Sequence, residues 1–439
     1  MTSTTSGAGG DFAAGPETVN DFVRPPAPWP IRAFNALGPA LDRIGASPKL
    51  ETDALMAKAR KATGLDDFGD EWFREPLDKL LWSIEHEAGL SALGRTVMQT
   101  RLVGALTTRL RAEALFRAHP EIEEIDLGQV IVIAGLQRTG TTTLHRLVSA
   151  EPKMRSMLSW ESLNPAPLPG EPPRWGVDPG TPPKGRVRQG VIAEKGLKYI
   201  APHFFAIHPV EHDAPEEDVL LLDVSFMSQS PEATLHVPTY ARWLESQDNT
   251  PAYAYLKKLM QLLSWQCPAE HWVLKSPHHM EYIDTALKVF PNATIVQTHR
   301  DPRKTMASFA SMVAHGRSVF SDTVSVKGVS EHWMRKVKRL MELSIAVRER
   351  LGDEHFIDVS YYDLLEDPVR EVERVYAKAG IVFDETSRAA VANTKKKNVQ
   401  HRYGRHKYGL EDFGLSPEQI EAEFGFYRER YGIPIEDGR

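Results

Sequence analysis

Cysteine is almost absent: the 439 residues contain one, Cys267, which excludes an internal disulfide framework and suits a reducing compartment. A lone cysteine of this kind reads as a small buried or neutral residue. No uncharged apolar run reaches membrane-spanning length, and the start of the chain lacks the basic and apolar segments of a signal peptide, so no membrane span and a cytoplasmic location are expected. Neither sign of charge dominates. The 53 Lys and Arg against 59 Asp and Glu leave a net charge of −6, which argues against nucleic-acid binding and requires any anion site to be a local basic cluster. No spacing of His, Cys, Asp and Glu marks a Mg²⁺ or Zn²⁺ site, so no metal is expected. Internal repeats are missing as well.

What remains is ordinary globular composition, 41% hydrophobic and 26% charged, enough for a large core. Residues 1–30, with Gly7, Gly9, Gly10 and the prolines from Pro25 to Pro30, show no periodicity and read as a flexible tail. From 31 to 125 the apolar residues recur at helical spacing: Leu77, Leu80, Leu81 and Ile84 in one segment, Val97, Leu102, Leu106 and Leu110 in the next. This predicts an N-terminal helical region packed on the core of a domain spanning 126–439. In that domain, apolar runs at Val130, Trp272, Ala293 and His355 each lead into a helical pattern. Such alternation predicts an α/β fold with a mainly parallel central sheet covered on both faces, with ligands beyond the carboxyl ends of the strands. The Pro- and Gly-rich stretch from Asn164 to Gly190 reads as a lid or binding loop.

The most informative stretch starts with the β-branched run Val130-Ile131-Val132-Ile133 and continues through Gly135-Leu136-Gln137-Arg138-Thr139-Gly140 into Thr141, Thr142 and Thr143. Leu144, Leu147 and Val148 then follow at helical spacing. Strand, tight loop and helix in this order form an anion site: Gly135 and Gly140 allow a tight turn and close backbone approach, and the first amides of the helix face outward at the positive end of its dipole. Arg138 adds a guanidinium suited to phosphate oxygens, and the threonines add hydroxyl donors. The spacing is that of a Walker A loop, but Thr141 stands where the phosphate-binding Lys belongs. That weighs against ATP chemistry.

These residues resemble the phosphosulfate loop of the sulfotransferases that use 3′-phosphoadenosine 5′-phosphosulfate (PAPS), in particular the bacterial small-molecule branch. The resemblance runs from about Gln129 onward and implies a P-loop-like three-layer α/β/α domain. In it Gly135, Arg138, Thr139, Gly140, Thr141 and Thr142 would hold the 5′-phosphosulfate. A second motif supports it. After the strand at Ala293, His299-Arg300-Asp301-Pro302 opens a helix, with Asp301 at the N-cap and Pro302 in the first turn, and Ser308 lies eight positions after Arg300. This is similar to the family's 3′-phosphate motif, implying that Arg300 and Ser308 grip that phosphate. Two basic loops, each after a strand, are hard to explain by packing, and a cofactor with phosphate at both ends explains them. The resemblance further places Tyr361 beside the adenine, and Arg405 and Lys407 in a late basic loop closing over the 3′-phosphate.

Sulfuryl transfer needs a base for the acceptor's proton and positive charge on the leaving phosphate. Leu274-Lys275-Ser276-Pro277-His278-His279 is similar to the family's Lys-Ser-Pro-x-His variant, which makes Lys275 the contact to the transferred group, His279 the first candidate base and His278 the second. Glu161 is a rival, because some sulfotransferases use a carboxylate. Asp213 to Asp218 reads as a helix cap near the acceptor pocket. The expected reaction is transfer from PAPS to a hydroxyl or amine of a small-molecule or lipid acceptor, with apolar residues around Phe204 and Phe226 allowing an apolar alcohol, phenol or sterol. A P-loop small-molecule kinase and a non-catalytic nucleotide-binding protein are the alternatives.

Overall fold

A computed structural model describes residues 27–172, 184–397 and 408–436. Its centre is the β-branched run itself. Strand β1 (Val130–Ile133) is buried at all four positions and is flanked by β3 (His271–Lys275) and β4 (Thr294–His299), with β2 (Met154–Arg155) and β5 (Phe356–Ser360) at the edges. The order is β2-β3-β1-β4-β5, and every neighbouring pair is parallel. The parallel sheet is therefore as expected. The two-residue β2 was not anticipated, because its pairing with His271 and Trp272 defines it and so short a run carries no periodicity.

Along β1 the side chains alternate between two cores. Val130 and Val132 join Leu106, Leu110, Leu256 and Leu259 on one face, while Ile131 and Ile133 join Leu144, Leu147, Val372 and Val375 on the other. Each fully buried residue of this kind contributes about 1.5–3 kcal/mol. Both faces of the sheet are thus covered, giving three layers. The helices Thr52–Thr63, Arg74–Glu87 and Ala92–Ala118 lie in the first of these cores, so the N-terminal helical region is continuous with the sheet's own packing. The helix Trp29–Arg43 begins inside the stretch read as a tail, with Pro30 in its first turn, where a missing amide hydrogen costs nothing. No helix among the described residues is long and apolar enough to cross a membrane. Cys267, read as a small buried or neutral residue, is exposed after the helix Thr250–Gln266.

A buried charge cluster ties the long helix Val326–Leu351 to the layer beneath it. The ammonium of Lys336, fully buried, lies 2.7 Å from Glu281, 3.1 Å from Glu245 and 3.7 Å from Glu232. Arg335 and Arg339 complete the balance from the rim.

Candidate active site

Three loops converge beyond the carboxyl ends of β1, β3 and β4. The first is set by close packing. A Cβ on Gly135 would fall 2.0 Å from Thr298 Oγ1 on β4, so glycine is required here for strand contact. The Thr139 hydroxyl donates to the Leu136 carbonyl at 2.6 Å and meets Thr298 Oγ1 at 2.6 Å. Its hydroxyl is thus engaged within the loop and with β4. Arg138 (φ 69°) and Gly140 (φ 91°) both take the left-handed conformation, and Gly140 opens the helix Thr141–Val148. The first intrahelical bond runs from Leu144 N to Gly140 O, so the amides of Thr141, Thr142 and Thr143 have no acceptor within the helix.

The second loop meets the first directly. Arg138 Nε donates to Ser308 Oγ at 2.9 Å, and Arg300 Nη1 donates to the Arg138 carbonyl at 3.1 Å. The Arg300 guanidinium lies 4.0 Å from the centre of the Tyr361 ring, and that ring would be 3.1 Å from a Cβ on Gly140. Arg138, Gly140, Arg300, Ser308 and Tyr361 therefore form one cluster. Burial lowers the pKa of Arg138, with Arg300 adding to the effect and Tyr408 opposing it. For Arg300 burial works in the same sense, but Glu436 outweighs it and the pKa is raised. The geometry is local: Asp301 caps the helix Pro302–Phe320 by accepting from Arg303 N at 2.9 Å, with Pro302 at its start. Arg405 and Lys407 lie outside the described residues.

The end of β3 supplies the third loop. Lys275 pairs with Glu217 at 2.5 Å, and its amide donates to Asp218 Oδ1 at 2.8 Å. The stretch Asp213 to Asp218 was expected to cap a helix; Asp218 does stand at the N-cap position of Val219–Leu222, but its side chain makes no cap bond and accepts from β3 instead. Behind it lies His279 Nε2, 2.9 Å from Asp218 Oδ2, and the other ring nitrogen of His279 meets the Tyr253 hydroxyl at 2.7 Å.

All three residues expected as candidate bases are enclosed. His279 is fully buried between Asp218 and Tyr253. His278 is fully buried against the rings of Tyr253 and Tyr282, and burial drives its pKa well below the usual histidine range. Glu161 is buried as well, bound by Arg155 at 2.7 Å and accepting the Leu158 backbone amide at 2.9 Å. Two groups given no catalytic role from the sequence are less enclosed. The Glu217 side chain keeps 24% exposure. His208, at the end of the helix Pro202–Ile207, has its pKa lowered by burial and feels Glu216, Glu217, Lys275 and Arg138. No local sequence signal marks either role, since His208 is placed by the packing of its helix on Pro302–Phe320 and Glu217 by its pairing with Lys275. Among the described residues no group of three His, Cys, Asp or Glu could hold a metal ion.

A family model described as "Sulfotransferase family" matches residues 130–385. The chain is similar to the solved structure of sulfotransferase STF1 from Mycobacterium tuberculosis H37Rv, with 32% identity over 86% of this chain and 98% of that one, at a TM-score of 0.74. It is likewise similar to sulfotransferase STF9 from Mycobacterium avium, with 26% identity over 88% and 98% of the two chains, at a TM-score of 0.78. No match is found among curated proteins.

Proposed function

Because the chain belongs to the sulfotransferase family and is a sulfotransferase, we propose that it takes its sulfuryl group from PAPS. The acceptor is a hydroxyl or amine of a small-molecule or lipid compound, and the product released is 3′-phosphoadenosine 5′-phosphate (PAP). The observation that carries this reading is the direct contact between the two basic loops, Arg138 to Ser308 and Arg300 to Arg138. Cations suited to both ends of a doubly phosphorylated nucleotide would then be supplied by one cluster of side chains. Half-buried Arg138 has no carboxylate at ion-pair distance among the described residues, and a partly desolvated cation of that kind gains from an arriving anion.

When bound, PAPS supplies a sulfuryl group on a phosphate that is already a good leaving group. Arg138 and the amides of Thr141 and Thr142 would hold that phosphate through forked and helix-end donors. Arg300 and Ser308 would hold the 3′-phosphate, Tyr361 would lie against the adenine, and Arg405 and Lys407 would close over the nucleotide. Lys275 would face the transferred group. We assign the proton to Glu217, since its carboxylate is partly open and touches Lys275, whereas His278, His279 and Glu161 are shut in by their own partners. His279 then serves to fix Asp218, and through it the end of β3.

Calorimetric titration with PAP, together with a screen of phenols, apolar alcohols, sterols and amines against labelled PAPS, tests the reading. Micromolar binding of PAP and label on at least one acceptor are expected. Preference for ATP with Mg²⁺ over PAP would overturn it in favour of a kinase.

A further inference from the structure

The seat assigned above to a 3′-phosphate already holds an anion. Arg300 donates from Nε to Glu436 Oε1 at 2.8 Å and from Nη2 to Glu436 Oε2 at 3.2 Å. This is the two-pronged grip that a guanidinium gives a carboxylate or a phosphate. With Nη1 on the Arg138 carbonyl at 3.1 Å, three of the five N–H donors of Arg300 are engaged. A phosphate taken by the remaining two would lie against the Glu436 carboxylate, where like charges repel.

The contact is built in. Tyr362 donates its hydroxyl to Glu436 Oε1 at 3.0 Å, and the Glu436 amide donates to Asp301 Oδ2 at 2.7 Å. Burial disfavours the Glu436 charge, but Arg300 and Tyr362 outweigh it and lower its pKa. The segment is anchored one turn earlier, where buried Ile433 donates its amide to the Arg428 carbonyl at 2.9 Å. Glu436 can therefore leave while Ile433 stays. Arg300 and Glu436 are each 21% exposed at the side chain, so water can replace the carboxylate without opening the core.

We propose that Glu436 is a specificity-determining residue of the donor cleft, whose carboxylate fills the Arg300 seat until a donor phosphate displaces it. It thus weakens binding of 3′-phosphorylated adenosine nucleotides and does not affect those with a free 3′-hydroxyl. The inference rests on the PAPS reading. Where the competent state is populated only in part, apparent affinity falls by that fraction.

The test is calorimetric titration of the full chain, wild type and Glu436→Gln, with PAP and with adenosine 5′-monophosphate. Removing the charge is expected to tighten PAP about tenfold, with the monophosphate unchanged. Tyr362→Phe, which loses one bond to Glu436, shifts PAP in the same direction by less. PAP affinity that is unchanged or weaker in Glu436→Gln overturns the inference and leaves the donor reading standing. Failure of both chains to bind PAP overturns the two together. Equal tightening of both nucleotides also overturns it, since the gain would not then depend on the 3′-phosphate.

Discussion

Substituting Gly135 with alanine separates two reasons for a glycine at this position. The sequence alone suggests room for a ligand, whereas the structure shows that the missing side chain is space taken by Thr298. An alanine Cβ would lie 2.0 Å from Thr298 Oγ1, 3.0 Å from Thr141 Cγ2 and 3.1 Å from Thr298 Cβ. The loop or β4 must therefore move by about 1 Å, and forcing an atom into a packed site costs about 1–3 kcal/mol. The shift also reaches the Thr139 to Thr298 contact at 2.6 Å and, through it, Arg138. Misplacing a positioning group by about 1 Å costs on the order of 10²-fold in rate. Urea unfolding and steady-state sulfuryl transfer measure the two effects. The control is the double change Gly135→Ala with Thr298→Ala, which deletes the worst overlap. It should recover about 1 kcal/mol of stability relative to the sum of the single changes. Wild-type stability and turnover in Gly135→Ala, or strictly additive single changes, would refute the packing account.

Arg300→Ala should weaken PAP about 30-fold or more, with an unchanged circular dichroism spectrum, by calorimetry. Lys336→Met leaves Glu232, Glu245 and Glu281 without their central cation; with Lys336 fully buried, a loss of about 3–5 kcal/mol is expected in urea unfolding. Stability should also depend on acid through Glu245. Burial acts against its charge, but bonds from Arg335 and Lys336 bring its pKa down from 4.5 to about 2. The unfolded chain therefore takes up the proton first, so this contribution is complete above about pH 4.5 and is lost as pH falls towards 2. Glu245→Gln should flatten that part of the pH–stability curve, and an unaltered slope would remove the assignment.

The strands and the loop-to-helix turns that follow β1 and β4 were legible because their signals are local. β-branched runs marked β1 and β4, and Asp301-Pro302 marked a helix start that formed as read. Two kinds of feature were not legible. Thr139 differs from Thr141 in no chemical respect visible in the sequence, and only the turn at Arg138 (φ 69°) and the presence of Thr298 decide that it faces inward. The other kind is long-range pairing. Glu436 reaches Arg300 across 136 positions and Glu217 reaches Lys275 across 58, so no window of sequence contains both partners. The histidine pair shows the same limit from the opposite side. The motif drew attention to His278 and His279, and the aromatic surroundings that enclose them come from Tyr253 and Tyr282, the former on the distant helix Thr250–Gln266.

The pairing of charges at the cleft bears on how the proposed transfer proceeds. Lys275 is matched by Glu217 and Arg300 by Glu436, whereas Arg138 rests on Ser308 and Tyr408. Among the described residues, an incoming phosphate can therefore meet Arg138 without first breaking an ion pair. If Glu217 receives the acceptor's proton, its negative charge disappears at that moment, and the Lys275 ammonium is freed to face oxygens of the migrating sulfuryl group. Proton removal and charge stabilisation would then be a single event. Glu217→Gln imposes the neutral state from the outset: Lys275 remains held by its amide bond to Asp218, donor binding is kept, and turnover should fall about 10²–10⁴-fold. A variant that binds PAP normally and turns over at the wild-type rate would show that the proton goes elsewhere and that the Lys275–Glu217 pair is purely structural.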